Sequence, residues 1–157
     1  MSSYLMNRKQ SVRNENGHST GYRPIASGVP QGSILGPLLF RLFICDLPQV
    51  LRHSSCRIYA DDTQIYHHFH ANDIIAAIAR VQMDARAVAD WAYANGLELN
   101  ESETKIMLMG SLPYVVAIEM SSLSQVVING TRIKYVDSVK NLDVTITPTF
   151  NLGPTCG

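Results

Sequence analysis

The stretch that most restricts what this chain can fold into is residues 58–66, Ile58-Tyr59-Ala60-Asp61-Asp62-Thr63-Gln64-Ile65-Tyr66. Ile, Tyr and Thr favour a pleated, half-buried backbone and Asp accepts turn geometry. Two β-prone runs meeting at adjacent acids therefore predict a hairpin with Asp61 and Asp62 at or beside its tip. Neighbouring anions repel, and packing them against apolar strands is costly unless water or a cation neutralises them. Their hard oxygens suit Mg²⁺ or Mn²⁺. An isolated Asp-Asp pair is more often a plain surface turn, so the flanking sequence has to decide.

Upstream stands Ser27-Gly28-Val29-Pro30-Gln31-Gly32-Ser33-Ile34-Leu35-Gly36-Pro37. Its glycines remove Cβ where a backbone or ligand must approach, and Pro37 suits a first helical turn. Leu38, Leu39, Leu42, Phe43 and Leu47 then recur at helical spacing, which predicts a core-facing stripe ending before Pro48. Downstream, Asn72 and Asp73 offer a helix cap and a first-turn acid. Ile74, Ile78, Val81, Ala85, Val88 and Ala92 repeat every three or four residues, and Asn95-Gly96 is a stop signal. This is the best-defined helix, and Trp91 is read as packing it onto a sheet.

Residues 97–99 and 106–109 read as strands around a turn at 100–104, and 111–128 as a loop followed by short strands. Asn129-Gly130 between β-prone runs predicts a type I′ hairpin turn, with Arg132 and Lys134 sharing one face. After the carboxylates the outgoing strand runs through His67, His68, Phe69 and His70. No Cys, Asp or Glu is spaced to complete a zinc site with them, so they read as exposed strand-end side chains. Arg8, Lys9, Arg13 and Arg23 in the polar opening residues read as a solvated face.

At 157 residues the chain fits one domain able to bury roughly two-thirds of its unfolded surface. Thirteen basic and thirteen acidic residues cancel. Phosphate neutralisation needs excess Lys and Arg, so any grip on nucleic acid must be local or supplied from elsewhere. Three cysteines without metal-ligand spacing, Cys45, Cys56 and Cys156, point to a reducing compartment, cytoplasm or nucleus. The apolar run 37–45 is broken by Arg41 and too short to span a bilayer, so no membrane partner is expected.

Gly28-Val29-Pro30-Gln31-Gly32-Ser33 followed by Tyr59-Ala60-Asp61-Asp62 is a specific ordered pair of motifs. From about Tyr4 to about Phe150 the chain resembles the palm region of reverse transcriptases, particularly those of non-LTR, LINE-type retrotransposons. The resemblance implies an α+β fold, a polymerase-palm-like antiparallel sheet packed by helices, with residues 1–150 as a partial domain and 151–157 as a frayed tail. It implies RNA-directed DNA polymerase chemistry, with an RNA template and a DNA primer as partners. Asp61 and Asp62 would be the catalytic metal ligands for Mg²⁺ or Mn²⁺, bridging two ions about 3.5–4 Å apart. Pro30, Gln31, Gly32 and Ser33 would lie against the templating base and incoming nucleotide. Residues 139–146 would be the hairpin that positions the primer end.

The family also uses a further aspartate on an earlier strand, and this chain starts after the place where that strand would fall. Fingers and thumb are likewise expected to be absent, so the chain reads as a truncated, catalytically incomplete fragment. Two departures from the family pattern are Glu103, where a lysine is usual, and Asp143, where the family commonly reads Leu-Gly-Val. An intron-encoded or retron palm is the competing enzyme reading. A non-catalytic RNA- or protein-binding remnant of a retroelement is the alternative from another class.

Overall fold

The computed structural model describes residues 6–25, 28, 32–141 and 144–148. Its contacts divide the chain into two compact units, Met1–Cys45 and Asp46–Gly157. In the first, β1 (Lys9–Gln10) pairs antiparallel with β2 (Arg23–Pro24), Lys9 opposite Pro24 and Gln10 opposite Arg23. The connection closes where the Asn14 side chain accepts the His18 N–H at 2.9 Å and Gly17 takes a φ of 81°. Side chains of both strands are exposed, in keeping with the polar opening sequence.

Helix α1 (Gly36–Phe43) carries Pro37 in its first turn, where a missing N–H leaves no helical bond unmade. The helical spacing of the leucines is as the sequence predicts, but the stripe is core only in part: Leu47, in a 3₁₀ turn after the helix, is buried and Leu39 half-buried. Leu38, Leu42 and Phe43 are 49%, 57% and 46% exposed. The side chains of β1 and β2 are exposed and do not cover the stripe.

The second unit is built on α2 (Ile74–Ala94). Its stripe is the predicted one: Ala85, Val88 and Ala92 are buried, and Ile74, Ile78 and Val81 are partly so. The start is plainer than the sequence suggests, because Asp73 occupies the cap position without a side-chain cap bond and is the last residue of a 3₁₀ turn, Ala71–Asp73. The end is a full Schellman closure. Leu97 N–H bonds the Ala92 carbonyl at 2.8 Å and Gly96 N–H the Tyr93 carbonyl at 3.1 Å, with Gly96 at φ 68°. Trp91 is half-buried on this helix.

The strands of this unit are short. β3 (Ser55–Tyr59) pairs with β4 (Asp62–Tyr66), β6 (Val127–Ile128) with β7 (Thr131–Arg132), and β9 (Val139–Asn141) with β10 (Val144–Ile146), all antiparallel. β5 (Lys105–Ile106) runs parallel to β8 (Lys134–Tyr135). The described chain is thus α+β as expected, but its strands form separate two-stranded ladders rather than one continuous antiparallel sheet. Among the described residues β3 and β4 reach five residues; the other strands, at two or three, leave little edge on which a wider ladder could grow.

Residues 97–99 form no strand. The turn after them is held by the Asn100 carbonyl, which accepts from Glu103 and Thr104 N–H. The stretch expected to be loop contains α3 (Leu112–Ala117), whose Pro113 sits in a first turn and reads as a breaker only when taken out of that position. Residues 142–143 of the last hairpin and the 149–157 tail lie outside the described residues.

The core lies between α2 and the 126–133 segment. Ala85, Ala89, Val126, Ile128 and Ile133 form one buried cluster, with Ile78, Val81, Leu99 and Ile106 packed against it. Alternation along the strands sends Ile128 and Ile133 inward and leaves Val127, Arg132 and Lys134 outward. Among the described residues no helix is long and apolar enough to cross a membrane.

Candidate metal-binding turn

The β3–β4 ladder fixes both aspartates. Ser55 stands opposite Tyr66, Cys56 opposite Ile65, Arg57 opposite Gln64, Ile58 opposite Thr63 and Tyr59 opposite Asp62. That register leaves a two-residue loop, Ala60-Asp61, so Asp61 is at the tip and Asp62 opens the outgoing strand. Both side chains are exposed. Cys56, Ile58 and Ile65 are half-buried on the other face, which orients the ladder and turns Tyr59 and Asp62 outward. Burial pushes the Cys56 thiol pKa up, so this cysteine is a packing group rather than a nucleophile.

The loop is bent at an unfavourable residue. Ala60 has φ 52°, and Asp61 does not share the left-handed conformation. An L-residue there carries a cost of about 1–2 kcal/mol relative to its ordinary right-handed state. A tight turn with an alanine at that point is maintained by the ladder beneath it.

The ladder is in turn fastened at its root by a residue the sequence reading passed over. Asp84, on α2, is 1% exposed and is the buried charged residue among those described. Its Oδ1 accepts the Arg52 N–H at 2.9 Å and its Oδ2 the His53 N–H at 3.0 Å. Burial by itself would raise the Asp84 pKa, but the backbone donors outweigh it and hold the carboxyl below the ordinary carboxylate range. The His53 carbonyl accepts Nδ1–H of His67 at 2.6 Å, which ties the start of β3 to the residue just after β4. Asp84 was legible in principle: it falls three residues after Val81 and four before Val88, an acid on an otherwise apolar stripe.

The same helix holds a second hairpin. The Gln82 side chain donates to the Val127 carbonyl at 2.8 Å and accepts the Val127 N–H at 2.7 Å, imitating a neighbouring strand.

The loop residues predicted to meet the nucleotide belong to the first unit, the carboxylates to the second. Pro30 and Gln31 lie outside the described residues. Gly32 is exposed with φ 79°, and a Cβ there would meet nothing within 4 Å, so glycine serves the backbone angle rather than clearance. Ser33 Oγ accepts the Leu35 N–H at 3.2 Å and its carbonyl the Gly36 N–H, which makes this serine the lead-in to α1. Gly28, also left-handed, offers its carbonyl to the Arg8 guanidinium.

Asp61 and Asp62 are hard oxygen donors side by side, which suits a divalent cation. Among the described residues no group of three His, Cys, Asp or Glu converges on one point, so the pair supplies part of a coordination shell. His67, His68 and His70 follow β4 without forming such a group; His68 instead meets Tyr66 edge-on at 5.8 Å between ring centroids.

Comparison with known proteins places the whole chain among related sequences. The chain is 28% identical to the RNA-directed DNA polymerase from mobile element jockey of Drosophila melanogaster over 83% of its own length and 14% of that protein's. It is 29% identical to the probable RNA-directed DNA polymerase from transposon BS of the same fly, over 98% of this chain and 17% of that protein. For the type-1 retrotransposable element R1 2 polyprotein of Nasonia vitripennis the figures are 28%, 80% and 30%. The chain thus spans less than a third of each of these relatives. No solved structure matches it. The family model for reverse transcriptase (RNA-dependent DNA polymerase) covers residues 1–146, and the chain belongs to that family.

Proposed function

We propose that this chain is the part of an RNA-directed DNA polymerase that carries the paired-carboxylate turn of its palm. The observation that supports this reading is the turn itself: two adjacent carboxylates held outward by a five-pair ladder inside a reverse-transcriptase match. In the proposal, Asp61 and Asp62 hold Mg²⁺ or Mn²⁺. The bound ions would lower the cost of charge on the primer hydroxyl and on the leaving pyrophosphate. Asp61, at the tip, reaches furthest beyond the ladder; Asp62 is fixed by its pairing with Tyr59 and is the more rigid donor. Pro30, Gln31, Gly32 and Ser33 would contact the templating base and nucleotide.

Two carboxylates supply part of a two-ion site, and in the proposal further oxygen donors, the nucleotide's among them, fill the rest of the shell. The expected partners are an RNA template and a DNA primer. The test is a chimera of the jockey polymerase in which residues 1–146 of this chain replace the matching segment. RNA-templated, Mg²⁺-dependent extension abolished by Asp61→Ala and by Asp62→Ala is the expected result. Extension indifferent to both substitutions would overturn the assignment.

A further inference from the structure

Although the chain carries no net charge, its cations are not evenly placed. Lys105 and Lys134 stand directly opposite each other in the parallel β5–β8 pair. Their partners in alternation, Ile106 and Ile133, pack in or against the core, so both lysines point away from it. Arg132, the last residue of β7, lies two residues before Lys134 and is outward for the same reason. Cross-strand neighbours are about 4.8 Å apart and next-but-one residues about 6.6 Å, so three cationic side chains leave one small surface. Like charges opposite each other on a sheet are unfavourable.

Among the described residues no ion pair relieves this arrangement. Arg132 and Lys134 have no ion-pair partner among the described residues. The Lys105 ammonium donates to the Ser102 carbonyl, a neutral acceptor. Glu101, the acid of the adjoining turn, is engaged elsewhere: it accepts the Asn129 side-chain amide at 2.7 Å, which also holds its carboxyl pKa below the usual range. Glu103 pairs with no cation among the described residues. The platform itself is well held. Gln82 grips Val127, Ile133 N–H bonds the Val126 carbonyl at 2.9 Å, and Val136 N–H bonds the Ile106 carbonyl at 2.9 Å.

We infer that Lys105, Arg132 and Lys134 form a phosphate-contact strip for the backbone of a bound nucleic acid. The inference rests on the polymerase reading, which makes nucleic acid the polyanion at hand, and it names the residues that make the local grip a neutral chain requires. Its three contacts are sequence-independent, and each released counterion steepens the salt dependence of binding.

The test measures binding of the full chain to a fluorescent RNA–DNA hybrid duplex from low to moderate salt, with thermal melts to check folding. The triple variant Lys105→Gln, Arg132→Gln, Lys134→Gln should lower the slope of log K against log salt by about 2–3 and weaken binding several-fold per cation at low salt. Arg86→Gln, an exposed charge on α2, should leave the slope unchanged, and Lys134→Arg should retain it. An unchanged slope in the triple variant, or no salt-dependent binding by the parent chain, overturns the strip. Polyglutamate competing as well as the duplex overturns it in favour of a protein partner. Mn²⁺ broadening at residues 59–63 is scored separately: if it persists while the slope does not move, the strip alone fails, and if it is absent while the slope falls, the polymerase reading fails instead.

Discussion

Two hairpins of this chain are fastened to the same helix and close with loops of the same length, yet they are made differently. β6–β7 turns at Asn129-Gly130 with φ of 49° and 82°, the residue pair that a type I′ turn favours. β3–β4 turns at Ala60-Asp61 with Ala60 at φ 52°, where no side-chain chemistry favours it. The first hairpin is locally self-consistent and is gripped by the neutral Gln82 side chain. The second holds an unfavourable bend and two like charges, and is gripped by a buried anion, Asp84. Where sequence and local geometry agree, the element serves the fold; where they disagree and a costly anchor compensates, the strain sits beside the candidate site.

Removing the anchors should separate the two hairpins most strongly. Asp84→Ala strands two backbone donors bonded to a charged acceptor and should cost about 3 kcal/mol, whereas Gln82→Ala, which loses two neutral bonds, should cost about 1–2 kcal/mol. Chemical denaturation measures both, and equal costs would break the distinction between the anchors. Next in size are the turn substitutions, which should differ in sign. Ala60→Gly relieves the left-handed bend and should stabilise by about 0.5–1 kcal/mol, while Gly130→Ala should destabilise by about 1 kcal/mol.

The pH dependence sharpens the same contrast. Because the folded pKa of Asp84 is depressed, its contribution is fully present above the unfolded value near 3.8 and is lost as pH falls through the lower folded value. Acid unfolding of Asp84→Asn should therefore lack that part of the pH slope. Gln82→Ala should keep it.

The contrast also explains what could be read in advance. The α2 stripe, the Gly96 stop, the Asn129-Gly130 turn and the carboxylate tip are all set by neighbours a few residues away, and each stands where the sequence predicts it. The β5–β8 pairing, the Asp84 clamp and the separate ladders depend on residues far apart in sequence, such as Arg52 with Asp84 and Lys105 with Lys134. Periodicity carries no information about these partners. The exposed α1 stripe shows the same limit from the other side, since spacing reports an apolar face but not what covers it.

In the proposal the strained turn carries a divalent cation and the relaxed one does not. Titrating Mn²⁺ into the full chain while following amide resonances by NMR compares the two tips in one sample. Selective broadening at residues 59–63, lost in Asp61→Asn and in Asp62→Asn and absent at residues 128–131, is the expected outcome. Broadening of equal strength at both tips, or at neither, would contradict it.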